Sequence, residues 1–187
     1  MENIPDIRTF LEKLHSAAMN IEHLINFTRD YQGIGCLDPV WQDVGEVLQR
    51  AVSTLDSSSI QINNQVHGLL VYADPLLEKV LYNLVENAIR HGQNISKITF
   101  SYEKRNGTII IIDEDDGIGV PEDKKEKIFT REYYKNSGLG LFISRDILDI
   151  TGLLITETGK EGKGARFEIL VPKGKYKITS SKPLPEI

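Results

Sequence analysis

Cysteine is almost absent from this chain: Cys36 stands alone, so neither a disulfide framework nor a cysteine metal site can be built. Long hydrophobic runs are missing as well, which leaves no segment able to span a bilayer, and no secretory signal is visible. A cytoplasmic module is expected, with no membrane contact of its own even where a parent protein is membrane-associated. Basic runs are lacking and the net charge is −5, which argues against nucleic acid as a partner. Two nucleotide signatures are missing too. Lys163 is followed by Gly164 where a P-loop needs Ser or Thr, and neither Gly117-Ile118-Gly119 nor Gly138-Leu139-Gly140 supplies the third glycine of a dinucleotide fingerprint. No internal repeat occurs. What remains is 187 residues, 40% of them hydrophobic, enough for one ordinary domain with a buried core and an accessory segment.

The most informative stretch is Leu81 to Gly92. On a helix, Asn83, Asn87 and Arg90 fall at i, i+4 and i+7, nearly one azimuth at about 3.6 residues per turn. Leu77, Val80, Leu81, Leu84, Val85, Ala88 and Ile89 occupy the rest, so this helix is held in a core and the amides form a polar stripe on a buried element. Asn offers a neutral oxygen to a hard cation that keeps most of its waters, and Arg offers a positive fork to phosphate. Magnesium with a polyphosphate fits these groups. The alternative is a helix N-capped by Asp74, begun by Pro75, whose amides bond a neighbouring loop.

Downstream, Thr108 to Asp113 reads as a fully buried strand. It runs into Asp115-Asp116-Gly117-Ile118-Gly119, where glycines let the backbone approach a flat ligand while an acid accepts a hydrogen bond from it. Gly138-Leu139-Gly140-Leu141 then opens a helix to about Ile150, whose first N–H groups suit an anion. A further pair, Gly162 and Gly164, leads into a strand from Phe167 to Val171.

The ordered set Asn83…Asn87, Asp115…Gly117…Gly119, Ile128-Phe129, Gly138-Leu139-Gly140-Leu141 and Gly162…Gly164…Phe167 resembles the ATP-binding catalytic domain of sensor histidine kinases. The superfamily also holds type II topoisomerases, Hsp90 chaperones and MutL ATPases, and the resemblance spans about Val40 to Lys173. It implies an α+β fold, a two-layer sandwich with a mixed sheet of the Bergerat type, and ATP with Mg²⁺ as cofactors. By the same resemblance Asn87 ligates the metal, Asn83 helps hold metal and phosphates, and Arg90 and His91 flank the phosphates. Asp115 accepts from the adenine amine, with Gly117 and Gly119 clearing space beside the base. Phe129 packs the root of a lid, Gly138, Leu139, Gly140 and Leu141 lie along the phosphates, and Arg131 and Lys135 are the cations of a short lid, Thr130 to Ser137.

Ahead of this domain a heptad pattern follows Pro5: Ile7, Leu14, Ile21 and Thr28 at one position, Phe10, Ala17, Leu24 and Tyr31 at another. Residues 21–29 resemble the second helix of the kinases' dimerisation hairpin, which implies a long N-terminal helix and a homodimer formed through it; a helix folded onto its own domain is the alternative. Gly33, Gly35 and Pro39 mark a linker, and Trp41 is expected to pack at the boundary. The division is 1–36 helix and linker, 37–174 catalytic domain, and 175–187 a flexible tail rich in Lys, Ser and Pro. Within the domain, a helix over residues 44–55, short strands over 60–66 and 69–72, and hairpins over 95–113 and 153–171 are expected. The first hairpin turns at Asn106-Gly107.

The resemblance implies phosphoryl transfer from ATP to a histidine, with a response-regulator receiver domain as the later recipient. His15, His23, His67 and His91 all lack the acidic neighbour that the family's acceptor carries, so the acceptor-histidine helix is expected to be a partner outside the chain. Two other classes stay open. Hydrolytic relatives place a Glu general base where Asn83 stands, and an amide cannot take a proton from water; Glu86 lies about 100° from Asn87 around the helix. A degenerate ATP-binding regulatory module is the third reading.

Overall fold

The computed structural model describes residues 7–55, 60–131 and 139–179, which divide into two compact units between Gly33 and Ile34. The first unit is α1, Ile7–Gly33, on which Ile7, Phe10, Leu14, Ile21 and Tyr31 of the heptad positions are exposed.

The second unit has the order β1 (Val40–Asp43), α2 (Val44–Ser53), β2 (Gln61–Asn64), β3 (Leu69–Ala73), α3 (Leu77–His91), β4 (Lys97–Arg105) and β5 (Thr108–Asp115). Single 3₁₀ turns at Glu122–Lys124 and Lys127–Phe129 come next, then α4 (Gly140–Asp149), β6 (Leu154–Glu157), β7 (Arg166–Val171) and β8 (Tyr176–Ile178). This is an α+β fold. Its five-stranded sheet runs β2-β4-β5-β7-β6; β2 pairs with β4 in parallel and the other neighbours are antiparallel, so the sheet is mixed. β5 is central, and its four consecutive isoleucines, Ile109 to Ile112, are all buried, so neither face of this strand reads as polar.

Three departures from the sequence-based expectations are structural. First, β1, β3 and β8 form a separate antiparallel sheet, because β3 pairs with β1 and β8 and not with β2. Second, the stretch expected to be a tail at 175–187 begins with strand β8, whose Tyr176 faces Val71 in register and donates its hydroxyl to Gly107 O at 3.1 Å; residues 180–187 lie outside those described. Third, α3 begins at Leu77 and carries no side-chain cap bond. Asp74 acts earlier, its carboxylate accepting from Leu76 N at 2.8 Å and Gly35 N at 3.1 Å. Trp41, expected at a boundary, packs against Tyr72 of β3 with ring centroids 5.4 Å apart and planes tilted by 53°, and the Lys177 ammonium lies 3.9 Å from its ring centre.

The helices make the second layer, with α3 packed against both α2 and α4. α2 is capped by Asp43, which accepts from Gly45 N and Glu46 N. α3 buries Leu77, Val80, Leu81, Leu84 and Val85 at 1% exposure or less, each contributing about 1.5–3 kcal/mol relative to exposure. Ile98, Phe100, Ile109, Ile111, Ile169 and Val171, which share one sheet face by register, are sealed equally well. The core between these two surfaces holds the end of α3 rigidly beside the end of β5, and there the cleft opens.

Candidate nucleotide-binding cleft

A cleft of about 450 Å³ lies between the C-terminal half of α3, the β5 exit loop, the 3₁₀ turns, the start of α4 and β7. Asn87, Arg90, His91, Asp115, Gly119 and Leu141 line it together with Ala88, Gln93, Lys124, Ile128, Ala165 and Phe167. The motifs, separated by tens of residues, therefore converge on one wall.

Asp115 is held in place by its own surroundings. Its Oδ1 accepts from Gly117 N at 2.8 Å and from Ala165 N at 3.1 Å, which leaves Oδ2 as the oxygen available to a ligand. The fit behind it demands glycine: at Gly164 (φ +102) a Cβ would overlap the Asp115 carbonyl oxygen, and at Gly119 (φ +71) one would stand 2.8 Å from Gly164 O. Gly117 serves differently from expectation. It is packed against the Gly92 backbone, where a Cβ would come within 2.6 Å of Gly92 O, and it is not on the cleft wall. Asp116 pins the rim, accepting from Ser96 N, Lys97 N and the Ser96 hydroxyl; these bonds, the hydroxyl first, pull its carboxyl down to about 2.

The polar stripe of α3 divides between two neighbours. Asn87 donates its amide to Asn83 O at 2.7 Å, so its Oδ1 is the group presented to the cleft. Asn83 is not on the cleft wall. It is 5% exposed, and its amide donates to Gly140 O at 2.9 Å and to Ser144 Oγ at 3.1 Å, both on α4. Arg90 reaches Glu86 only loosely, at 3.8 Å. His91 is held below its ordinary value by burial first and the Arg90 charge second, with Glu86 opposing, so its imidazole is neutral at pH 7. Gln93, also on the wall, has φ +63, an uncommon conformation for a residue with a Cβ.

Phe129 is 2% exposed, edge-on to Phe167 at 6.2 Å and beneath the Arg145 guanidinium at 5.7 Å. Arg145 also donates to Phe129 O at 2.7 Å. Leu139 precedes α4 and Gly140 is its first residue; Arg131 is exposed. Lys135 and Gly138 lie outside the described residues. Sequence reasoning missed Arg145, Gln93 and the Lys124 and Lys125 pair. Lys125 ties the 3₁₀ turns to the β6–β7 hairpin, its Nζ 2.7 Å from Gly159 O and 3.5 Å from buried Glu157 Oε2. No local pattern marks such residues, because their partners are distant in the chain.

The donor set suits a metal carried in by its ligand. Among the described residues no group of three or more His, Cys, Asp or Glu could hold a metal by itself, whereas the neutral Asn87 oxygen, Arg90 and the amide-rich start of α4 suit a hydrated cation bridged to phosphate. No helix among them is long and apolar enough to cross a membrane.

Comparisons with known proteins agree with this geometry. Residues 73–175 match the family described as histidine kinase-, DNA gyrase B-, and HSP90-like ATPase. The sensor-like histidine kinase SenX3 of Mycolicibacterium smegmatis is 32% identical over 192 residues, covering 90% of this chain and 49% of its own length. The alginate biosynthesis sensor protein KinB of Pseudomonas aeruginosa is 28% identical over 89% of this chain and 30% of its own. The chain thus spans about half the length of its curated relatives or less. Among solved structures, a nucleotide-free catalytic domain of the histidine kinase ThkA superposes with a TM-score of 0.62 at 28% identity, over 73% of this chain and 99% of that one. ThkA in complex with its response regulator TrrA shares the fold at a TM-score of 0.69 and 22% identity, over 94% of this chain and 54% of that one. With the family model covering more than half of its residues, this chain belongs to the histidine kinase-, DNA gyrase B- and HSP90-like ATPases, its catalytic domain being of the sensor histidine kinase kind.

Proposed function

We propose that the chain is the catalytic part of a histidine kinase that binds ATP with Mg²⁺ in this cleft and transfers the γ-phosphoryl to a histidine on a separate acceptor helix. The observation that carries the reading is Asp115: one carboxylate oxygen is fixed by two backbone N–H groups, and the other is left for an exocyclic amine at the mouth of a flat, glycine-walled slot. Gly119 lines that slot and packs against the Gly164 and Lys160 backbone behind it, and Gly117 sets the turn.

Asn87 would hold the magnesium through Oδ1, and Arg90 would take phosphate oxygens bidentately. His91, neutral, would accept or donate a single hydrogen bond. The first turn of α4, with Leu139, Gly140 and Leu141, would offer N–H groups to phosphate, and Gly138, Arg131 and Lys135 would complete the lid. Asn83 would serve the metal site at one remove, by fixing Asn87 and α4. The metal, when bound, neutralises phosphate charge; the protein's part is positioning and electrostatic stabilisation of the transferred group.

Glu86, the acid beside Asn87 in sequence, is not on the cleft wall among the described residues and lies 3.8 Å from Arg90, which favours transfer over hydrolysis. A receiver domain is the proposed recipient, by analogy with the ThkA complex, and α1, with its exposed heptad residues, is the proposed dimer helix. The division of roles is a dimerisation helix and linker over 1–36 and a catalytic domain beginning at 37.

The test is incubation with labelled ATP and Mg²⁺, with and without a supplied acceptor-helix fragment. Label on the fragment is the expected result. Released phosphate alone would identify a hydrolase, and neither product a regulatory ATP-binding module.

A further inference from the structure

Two carboxylates take adjacent peptide N–H groups of one segment. Asp115 Oδ1 accepts from Ala165 N at 3.1 Å, and Glu157 Oε1 accepts from Arg166 N at 3.1 Å and from Gly159 N at 2.9 Å. The segment, Thr158 to Ala165, joins β6 to β7 and forms the floor of the Asp115 loop. Gly162 N donates to Ile118 O at 2.7 Å and Asp115 N to Ala165 O at 3.1 Å, while Gly119 packs against the Gly164 and Lys160 backbone. Where this floor stands therefore sets where the Asp115 carboxylate points.

The acid that holds the floor is itself held by a cation. The Glu157 side chain has no exposed surface, and its Oε2 has no hydrogen-bond partner among the described residues. A buried carboxylate needs a compensating charge, and Lys125 places its Nζ 3.5 Å from that oxygen. The same ammonium donates to Gly159 O at 2.7 Å, so it meets both Glu157 and the residue whose N–H Glu157 accepts. Position 159 has no room for a side chain: a Cβ would come within 2.6 Å of Glu157 Oε1 and 2.7 Å of Arg166 N. Lys125 also meets Glu122 Oε2 at 2.8 Å, but the Glu122 side chain is 89% exposed and such a pair is screened by water.

Lys125 directly follows the first 3₁₀ turn. Its neighbours Pro121, Lys124 and Ile128 line the cleft, whereas Lys125 and Glu157 do not. The bonds of this cluster converge on Ala165 and Arg166, the peptides that orient Asp115, so any influence on a ligand passes through that acid.

We propose that Lys125 is a positioning residue for base recognition: paired with Glu157, it clamps the β6–β7 segment beneath the Asp115 loop and so aims the free Asp115 oxygen at the exocyclic amine. This rests on the reading of the cleft as an adenine-nucleotide site. It makes the selection of that amine depend on an ion pair outside the cleft wall.

The test is calorimetric titration of the whole chain, in the presence of Mg²⁺, with ATP and with purine riboside triphosphate, which carries C–H where adenine carries its amine. The unaltered protein is expected to prefer ATP by about tenfold or more. Lys125→Met keeps most of the stem and loses charge and donor; it should reduce that preference by about threefold or more, and Lys125→Arg should restore most of it. Glu157→Gln keeps the acceptor at Oε1 but turns an amide N–H₂ toward the ammonium, and should lower the preference in the same direction. If Lys125→Met weakens both ligands by one factor and leaves their ratio unchanged, Lys125 is merely structural and the proposal is overturned. An unchanged ratio in Glu157→Gln, a variant that preserves the side chain's shape, overturns it as well. Equal binding of both ligands by the unaltered chain would remove Asp115 from amine selection, and binding of neither would overturn the adenine-site reading itself; both failures are read without any variant and so are distinct from failure of the clamp.

Discussion

The side-chain amide of Asn83 donates to the Ser144 hydroxyl at 3.1 Å, a buried bond between α3 and α4. Both groups also converge on Gly140 O, at 2.9 and 2.8 Å. The first turn of α4, the next element described after Arg131, is thereby fastened to the helix that presents Asn87 to the cleft one turn further on. A residue read from the sequence as a ligand holder is the rivet between the two walls.

If that bond couples the walls, Asn83→Ala and Ser144→Ala should each cost about 1–2 kcal/mol of stability and be non-additive in the double variant. Chemical denaturation of the four proteins checks it. Additive losses would mean that the two residues act independently.

Asp115→Ala should weaken ATP by roughly one to two orders of magnitude, since a hydrogen bond to a charged group is worth about 1.5–3 kcal/mol. GTP should bind poorly to the unaltered chain, because its carbonyl would face the carboxylate. Titration with both nucleotides decides; equal affinities would remove Asp115 from base selection.

Asn87→Ala should abolish most of the Mg²⁺-dependent gain in ATP affinity while leaving metal-free ADP binding near normal, because it removes an oxygen ligand at the phosphate end only. Calorimetry with and without Mg²⁺ reads the difference. A variant that unfolds would point to the Asn83 O bond as its main role.

Burial first, then the charges of Asp115 and Glu114, holds the Asp113 carboxyl well above the ordinary range, which has a pH signature. In the folded state it holds its proton above the pH at which an unfolded Asp loses it, so the folded chain binds more protons in that window. Its contribution to stability is therefore fully present below about pH 4 and falls as pH rises through the elevated folded value. Asp113→Asn, which cannot ionise, should remove this decline. Denaturation midpoints measured from pH 4 upward should diverge between the two proteins, the variant gaining at the alkaline end; parallel curves would show that Asp113 is an ordinary carboxylate.

Leu14 is 52% exposed on α1 in the heptad series. If that series is a dimer seam, Leu14→Glu should reduce self-association and leave ATP affinity intact, a charge being costly in a desolvated position. Sedimentation over a concentration series tests this; a monomer throughout for the unaltered chain would refute dimerisation through α1.

Much of the fold was legible because it is written locally. Asn106 and Gly107 adopt φ +50 and +82, the conformations that an Asn-Gly hairpin turn requires, and four isoleucines in a row fit a strand covered on both sides. The apolar period of α2 and α3 set those helices within a few residues, whereas the Asp43 cap of α2 emerged only with the structure. The Asn83, Asn87 and Arg90 stripe was legible as a stripe, yet its period could not tell that α4 covers one end and the cleft the other.

The sequence by itself determined most of the element types, though not β1 or β8, together with the turn of the first hairpin and the ordered acids, amides and glycines that define the family, since turn preference and side-chain period act over a few residues. Tertiary structure alone decided that β3 leaves the main sheet to pair with β1 and β8, and that Lys125 reaches Glu157 and Arg145 reaches Phe129. It also decided that Asp113 is buried, its Oδ1 without a hydrogen-bond partner among the described residues. Those outcomes depend on which distant surfaces bury each other and on which buried polar atoms then find a donor, and no period or propensity along the chain encodes either.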